Sequence, residues 1–465
     1  MRLNKWTYLV CCFAILVTIS LTSNVGALKV QSFAPADRFL EGVNGLNDAV
    51  SFFDLALDLY RTGHVSPANA WLINLWPPGF VALEAAILKV FGTRAPFIFI
   101  LQITASLAFA CMLTLERAVL RRYVCEAFAC ILPLLIFLMP VARWFLLEPT
   151  GVVFGETFAV AAFFSACFLV MLAVERNNLK LATAAGICFA LSAYFRSQYE
   201  LIVLALTGVG VIALFFAIAI RRFSKQSGMA SCHRTTIKVI FVALFCAHVA
   251  MIPWRMRNYL AGFGPTWVQT SGLIIQNSLS TEKDLLARGG AFVISGAGNL
   301  ACRFEPTYCG HYESRLFYKA FLKHLPEWYR VRLDVISNYW QPYPIADWST
   351  ATAWRVRENL SNDVFLVCLL AILPLLWFSR ASPAWLALTW LTVSFYGAFF
   401  VIFSLVHFEP RYFYLVKFFS FIGFIHLALA ARSSWRRKRD AKDDASSSPL
   451  SAFAKESQFR RHSGR

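Results

Sequence analysis

PAWLALTWLTVSFYGAFFVIFSLV, from Pro383 to Val406, contains no Asp, Glu, Lys or Arg. It is longer than the roughly 20 apolar residues a helix needs to cross the hydrocarbon core of a bilayer. A helix with no polar face must be sheathed in lipid or in other helices. Working outward from this stretch, further apolar runs recur at about 6–23, 77–91, 96–115, 124–142, 152–174, 181–195, 199–220, 237–253, 363–379 and 412–431. Charged residues are only 15% of the 465, and they gather between the runs, whereas a soluble domain carries about a quarter, dispersed. The expected fold is an all-α membrane protein, a polytopic bundle of about 10–11 transmembrane helices.

The charges orient the bundle. The formal net charge is +18, but Lys and Arg accumulate in cytoplasmic loops of such proteins, so the surplus calls for no polyanion. No soluble basic domain with interleaved aromatics exists, and nucleic acid is excluded as a partner. Arg2/Lys5, Arg117/Arg121/Arg122, Arg176/Lys180, Arg221/Arg222/Lys225/Arg234/Lys238, Arg380 and Arg436–Arg439 mark the cytoplasmic side. All fall on one side only if one early segment fails to cross. The best candidate is 77–91, which is short, opens with Pro77-Pro78 and contains Glu84 and Lys89. It would dip in from the outside or lie along the surface, the alternative being that it spans and a neighbouring boundary lies elsewhere.

The opposite side then holds the first loop (about 24–76), the turns Arg143–Glu156, Arg196–Glu200 and His407–Arg411, and a long loop at about 254–362. The membrane domain is 1–431, and 432–465 reads as a basic, Ser-rich, disordered cytoplasmic tail. Met1–Ser23 starts like a signal peptide and leads to small residues at Val25-Gly26-Ala27. Its run is long enough to remain as the first membrane helix. The chain is expected in a membrane as a multi-pass protein, which in a bacterium is the plasma (inner) membrane.

Every unusual polar residue lands on the non-cytoplasmic face, where ionisable groups at membrane depth are costly and functional by default. From Asp48 the first loop reads as an amphipathic helix, with Gly63 as its stop. Asp48 also suits a plain N-cap, and Asp54 and Asp58 share a solvated face. Trp76-Pro77-Pro78-Gly79 is a rigid entry to the next helix. Glu156 suits a helix first turn, with Glu148 as its rival. Arg196, Arg255, Arg257 and Arg411 lie near helix ends, where Arg either snorkels or offers a fork to phosphate oxygens. His407 and Glu409, at i,i+2, are a poor metal signature.

In order along the chain, these residues resemble a known family. Asp48, Phe52, Ala56, Leu59 and Gly63 at their spacing, then Trp76-Pro77-Pro78-Gly79 and a helix ending Phe91-Gly92, are similar to the C-type (GT-C) glycosyltransferase superfamily. The group resembled is that of protein O-mannosyltransferases, aminoarabinose transferases and rhizobial lipopolysaccharide glycosyltransferases. Gly155-Glu156-Thr157-Phe158, Phe195-Arg196-Ser197-Gln198, Pro253-Trp254-Arg255-Met256-Arg257-Asn258-Tyr259 and His407-Phe408-Glu409-Pro410-Arg411-Tyr412 resemble its later segments, to about residue 415.

The resemblance implies transfer of a sugar from a polyprenyl-phosphate donor to a glycan, lipid or protein acceptor of the cell envelope. Asp48 takes the place of the general base that the acceptor hydroxyl needs, and Glu156 that of a second acid. Arg411 and Arg196, with Tyr412, Trp76 and Arg257, would face the donor phosphate as its charge grows. No cofactor is required by this reading. A divalent metal ion would draw on Glu148, Glu156, His407 and Glu409. The chain departs from the family beside Asp48, where Asn47 and Ala49 stand in place of a second acid, and in the long loop beyond Trp254.

Competing readings are a transporter or flippase of lipid-linked substrates, a ligase of preformed glycans, and an inactive relative. A transporter would show two similar halves with helices broken at the midplane, and no such repeat is visible. Of the 12 Cys, only Cys302 and Cys309 fall in the long external loop. An oxidising compartment and a turn at Pro306 favour a disulfide between them.

Overall fold

The computed structural model describes residues 3–23, 33–38, 47–70, 72–74, 76–147, 155–223, 229–262, 297–310, 313–340, 352–382, 384–405 and 410–462. Its helices are α1 (Lys5–Ser23), α2 (Asn47–Thr62), α3 (Pro78–Phe91), α4 (Phe97–Leu120), α5 (Glu126–Ile131), α6 (Pro140–Leu147), α7 (Glu156–Arg176) and α8 (Leu179–Phe195). They continue with α9 (Gln198–Phe223), α10 (Met229–Leu260), α11 (Ala297–Phe304), α12 (Ser314–Lys323), α13 (Leu325–Tyr339), α14 (Thr352–Phe378), α15 (Trp385–Leu405) and α16 (Pro410–His462). No strand occurs among the described residues. Seven helices, α4, α7, α9, α10, α14, α15 and α16, contain stretches long and apolar enough to cross a membrane. Shorter apolar stretches lie at Lys5–Leu21, Glu126–Leu138 and Leu179–Phe195. The chain is an all-α, multi-pass membrane protein.

The centre of the bundle is α7. Of its most apolar stretch 83% is buried, against 28% for those of α9 and α14, whose outer faces are left to lipid. It packs on α8 and α4, and phenylalanines fill the space around it. Phe164 meets Phe418 at 5.0 Å between ring centroids, and Phe395 stacks on Phe419 at 3.8 Å. Helices with no polar face carry no amphipathic signal to orient them, so ring packing and small residues set their approach. Gly186 shows this on α8, where a Cβ would collide with the carbonyl oxygen of Ala243 on α10. α1 joins the bundle against α4, with Tyr8 donating to the Cys130 carbonyl at 3.0 Å.

Contacts sort the connections onto two ends. At one end α2 and α3 lie against the starts of α4 and α7 and the finish of α8. At the other, Arg117 pairs with Glu126 and Arg122 with Glu175. α3 begins beside Tyr194, near the end of α8, and Gly92 and the short connection after it lead directly to α4, whose Phe97 touches Phe53 of α2. Both of its ends therefore sit at the same end of the bundle. Its 14 residues reach about 21 Å, short of the roughly 30 Å hydrocarbon core.

Four sequence expectations need adjustment. The run 124–142 is not one helix but α5, a 3-10 stretch Leu132–Leu138, and α6, because Pro133 and Pro140 lack the N–H a continuous helix requires. Helix α10 passes through Pro253 to Leu260, so Arg255 and Arg257 lie within it rather than past its end. Carbonyls freed by an intramembrane proline find other donors, and Ala250, close to the break, accepts from Tyr194 Oη at 2.8 Å. The long loop is correspondingly shorter, since α14 starts at Thr352. Finally, the tail expected to be disordered continues α16 to His462, through Ser446-Ser447-Ser448-Pro449, for which helix propensity gives no account.

Within the long loop, α11, α12 and α13 close a small core around Tyr308, Phe317 and Trp328. Cys302 and Cys309 are joined by a disulfide, their Cα atoms 4.9 Å apart. This unit is fastened to the end of α15, where Trp328 Nε1 donates to the Ser404 carbonyl at 3.1 Å and Tyr329 Oη to Ser404 Oγ at 2.8 Å.

Candidate functional site

The end of the bundle that carries α2 and α3 brings together three of the residues singled out by sequence, Trp76, Glu156 and Arg196. Its geometry begins with two glycines. Gly155 adopts φ +76°, which L side chains rarely tolerate, and a Cβ there would stand 3.1 Å from Phe80. A Cβ on Gly79 would lie 2.7 Å from the Tyr194 carbonyl oxygen. With both positions bare, the start of α3 presses against the start of α7 and the finish of α8. An aromatic chain follows from Phe52 to Trp76 (5.0 Å), from Phe52 to Phe80 (5.3 Å), and on through Phe158 to Phe195.

Inside this wall lies a buried ion pair. Arg196 Nη2 is 2.6 Å from Glu156 Oε1, and both side chains are almost fully enclosed. The Arg196 guanidinium also sits 5.9 Å from the Trp76 ring. Two donors beside the pair, Trp76 Nε1 and Tyr199 Oη, are buried without a hydrogen-bond partner among the described residues. Tyr199 is within electrostatic reach of both Glu156 and Arg196. Enclosed donors are normally satisfied, so these two stand out beside the ion pair.

A second buried pair continues the line. Arg255 places Nε and Nη2 at 3.2 and 3.1 Å from Glu200 Oε1, and Nη1 at 3.0 Å from His248 Nδ1. His248 Nε2 is 2.8 Å from Thr207 Oγ1, which donates to the Val203 carbonyl. Arginine only donates, so Nδ1 must accept, and the network assigns the proton of a neutral ring to Nε2. Glu156, Arg196, Glu200 and Arg255 thus alternate in sign across α7, the α8–α9 turn, α9 and α10. Arg255 turns inward and does not snorkel. Its partners Glu200 and His248, each a lone ionisable residue in an apolar run, were missed from sequence, although that isolation was the available signal. Lys417 was missed for the same reason: it is buried in α16 and donates to the Trp340 carbonyl at 2.6 Å and to Asn362 Oδ1 at 2.8 Å.

Asp48 is the second residue of α2, one turn before Phe52 and so about 6 Å along the axis from the ring that meets Trp76. The position of its side chain lies outside the described residues. Further along α2, Asp58 accepts from the Ser66 backbone N–H at 2.9 Å and from Asn69 Nδ2 at 3.0 Å. Burial works to raise its pKa, but these bonds outweigh it and hold the carboxyl below the ordinary range. Asp54 is shifted the other way, by burial and then by the charge of Asp58. Asp58 is therefore a turn-holding acid.

Glu156, Arg196 and Trp76 are brought together; the other expected residues are not all seen with them. Arg257 donates to Asn258 Oδ1 at 2.9 Å and lies 5.1 Å from the Trp254 ring. Arg411 is in the first turn of α16, with its side chain outside the described residues, and Tyr412 follows it, partly buried. Glu148, His407 and Glu409 lie outside the described residues. Among the described residues no three His, Cys, Asp or Glu side chains converge as a metal site, and Glu156 faces a guanidinium. No family model matches the chain, and no curated protein matches it.

Proposed function

We propose that the chain is a membrane glycosyltransferase that moves a sugar from a polyprenyl-phosphate donor to an acceptor on the non-cytoplasmic face. The observation that carries this reading is the gathering at one end of the bundle: the start of α2 with Asp48, Trp76, the Glu156–Arg196 pair, and the unpartnered donors of Trp76 and Tyr199. In the proposed step an acceptor hydroxyl attacks the anomeric carbon and gives its proton to the Asp48 carboxylate. The bond from anomeric carbon to phosphate oxygen breaks, and its electron pair leaves with the lipid phosphate. Arg196, oriented by Glu156, and Arg411 at the start of α16 offer positive charge to that leaving group. Tyr199 and Trp76 offer donors to sugar hydroxyls.

Incubating purified protein with labelled polyprenyl-phosphate sugars tests the proposal. Asp48→Asn should insert and fold normally but lose about 10²–10⁴-fold in transfer, the range for a general base. Activity within a few-fold of wild type would remove Asp48 from the mechanism. The line of intramembrane ionisable groups Glu200, Arg255 and His248 also suits a transporter or flippase. Movement of the lipid-linked sugar across reconstituted vesicles, without transfer, would favour that second reading.

A further inference from the structure

The hairpin formed by α12 and α13 leaves large apolar side chains uncovered: Leu322 is 70% exposed, Leu333 60% and Tyr318 51%. Around α12, at 100° per residue, Tyr318 and Leu322 form one edge and Arg315 and Lys319, also exposed, lie immediately beside them. On α13, Leu333 lies next to Tyr329 and is followed around the helix by exposed Arg330. Tyr329 in turn stacks on Phe400 of α15, 5.8 Å between centroids with the rings 12° apart. Phe400 is itself 59% exposed on a helix long and apolar enough to cross the membrane. The lipid-facing surface of α15 therefore runs without interruption through Phe400 and Tyr329 to Leu333.

We propose that the α12–α13 hairpin is seated in the membrane interface at this end of the bundle, with phospholipid as its partner. Tyr318, Leu322 and Leu333 enter the headgroup–acyl boundary, and Arg315, Lys319 and Arg330 meet lipid phosphates. An apolar edge flanked by basic residues is the composition of a helix lying in the interface plane. The fastening of α13 to Ser404, one residue from the end of α15, sets the unit at that depth. The unit is thereby a floor laid on the bilayer rather than a free extramembrane domain. This inference does not depend on the proposed activity.

The test places an environment-sensitive fluorophore on single cysteines at Leu322, Leu333 and, as a solvated control, Glu327. The host lacks the ten cysteines outside the disulfide and is reconstituted in phosphatidylcholine vesicles. Labels at Leu322 and Leu333 should be quenched by lipids spin-labelled near the headgroup, and several-fold less than Glu327 by aqueous iodide. Equal iodide quenching at all three sites would overturn the proposal, and so would shielding of Leu322 and Leu333 from both quenchers, which would mean a protein partner. A photoreactive phenylalanine analogue at Tyr318 gives an independent reading without cysteine replacement. Adducts to phospholipid support the inference, and adducts confined to protein sink it.

Discussion

Arg196 has its charge answered by Glu156 and one face open to Trp76, so the two neighbours can be separated experimentally. Glu156→Ala leaves a guanidinium buried without its counterion, and loss of one partner of such a pair typically costs about 3–5 kcal/mol. Thermal unfolding in detergent should show that loss, and Glu156→Gln should recover part of it. Trp76→Phe keeps a ring against Phe52 while deleting the buried N–H. Its unfolding midpoint should stay near that of wild type. Transfer should fall by about fivefold, the value of one hydrogen bond at roughly 1 kcal/mol. Asp58 makes a prediction in pH. Its folded pKa lies below the ordinary 3.8, so its stabilisation of the 66–69 turn is complete above that value and is lost as pH falls through the folded pKa. The protection of the Ser66 amide, its exchange rate taken relative to the intrinsic rate at each pH, should be lost there in wild type and be absent throughout in Asp58→Ala.

The close approach of α8 and α10 rests on Gly186, and Gly186→Leu should separate the two helices. The separation would pull His248 and Arg255 away from α9, lowering the unfolding midpoint by several degrees and abolishing transfer; Gly186→Ser should be milder. Some elements were readable directly from the residues. Gly63 ends α2 in the left-handed conformation expected of a helix stop, its N–H bonding the Leu59 carbonyl at 3.1 Å. Continuous apolar runs announced α7, α9 and α15. Two failures have a shared physical origin. Pro253 looked like a helix end because local preference opposes proline in a helix, yet Tyr194 donates to the Ala250 carbonyl beside the break, 56 residues along the chain from it. Glu200, His248 and Lys417 looked ordinary because their partners lie on other helices. The position of each could be read along the chain, but whom it meets is decided by packing between helices with no polar face.

At the scale of the whole molecule, the bundle has two chemically distinct ends, and sidedness is the property to measure first. With α3 not crossing, single cysteines at Ser197 and Asn299 should react with an impermeant maleimide from the non-cytoplasmic side, and Ser447 only after permeabilisation. Reaction of Ser197 from the cytoplasm would invert the proposed site. A reduced, alkylatable Cys302 in native membranes would place α11–α13 in a reducing compartment instead. The alternating line of buried charges also has a consequence in time. Glu200 and Arg255 are 55 residues apart, so during synthesis α9 reaches the insertion machinery well before the guanidinium that neutralises it exists. Until then a carboxyl at the head of α9 must remain near water, because its solitary transfer into hydrocarbon is unfavourable by several kcal/mol. Helix α9 should therefore enter shallow and reach its final depth only with α10, as a couple. A nascent chain arrested just before Arg255 should leave Glu200 exposed to aqueous reagents, and one arrested some 40 residues later should not.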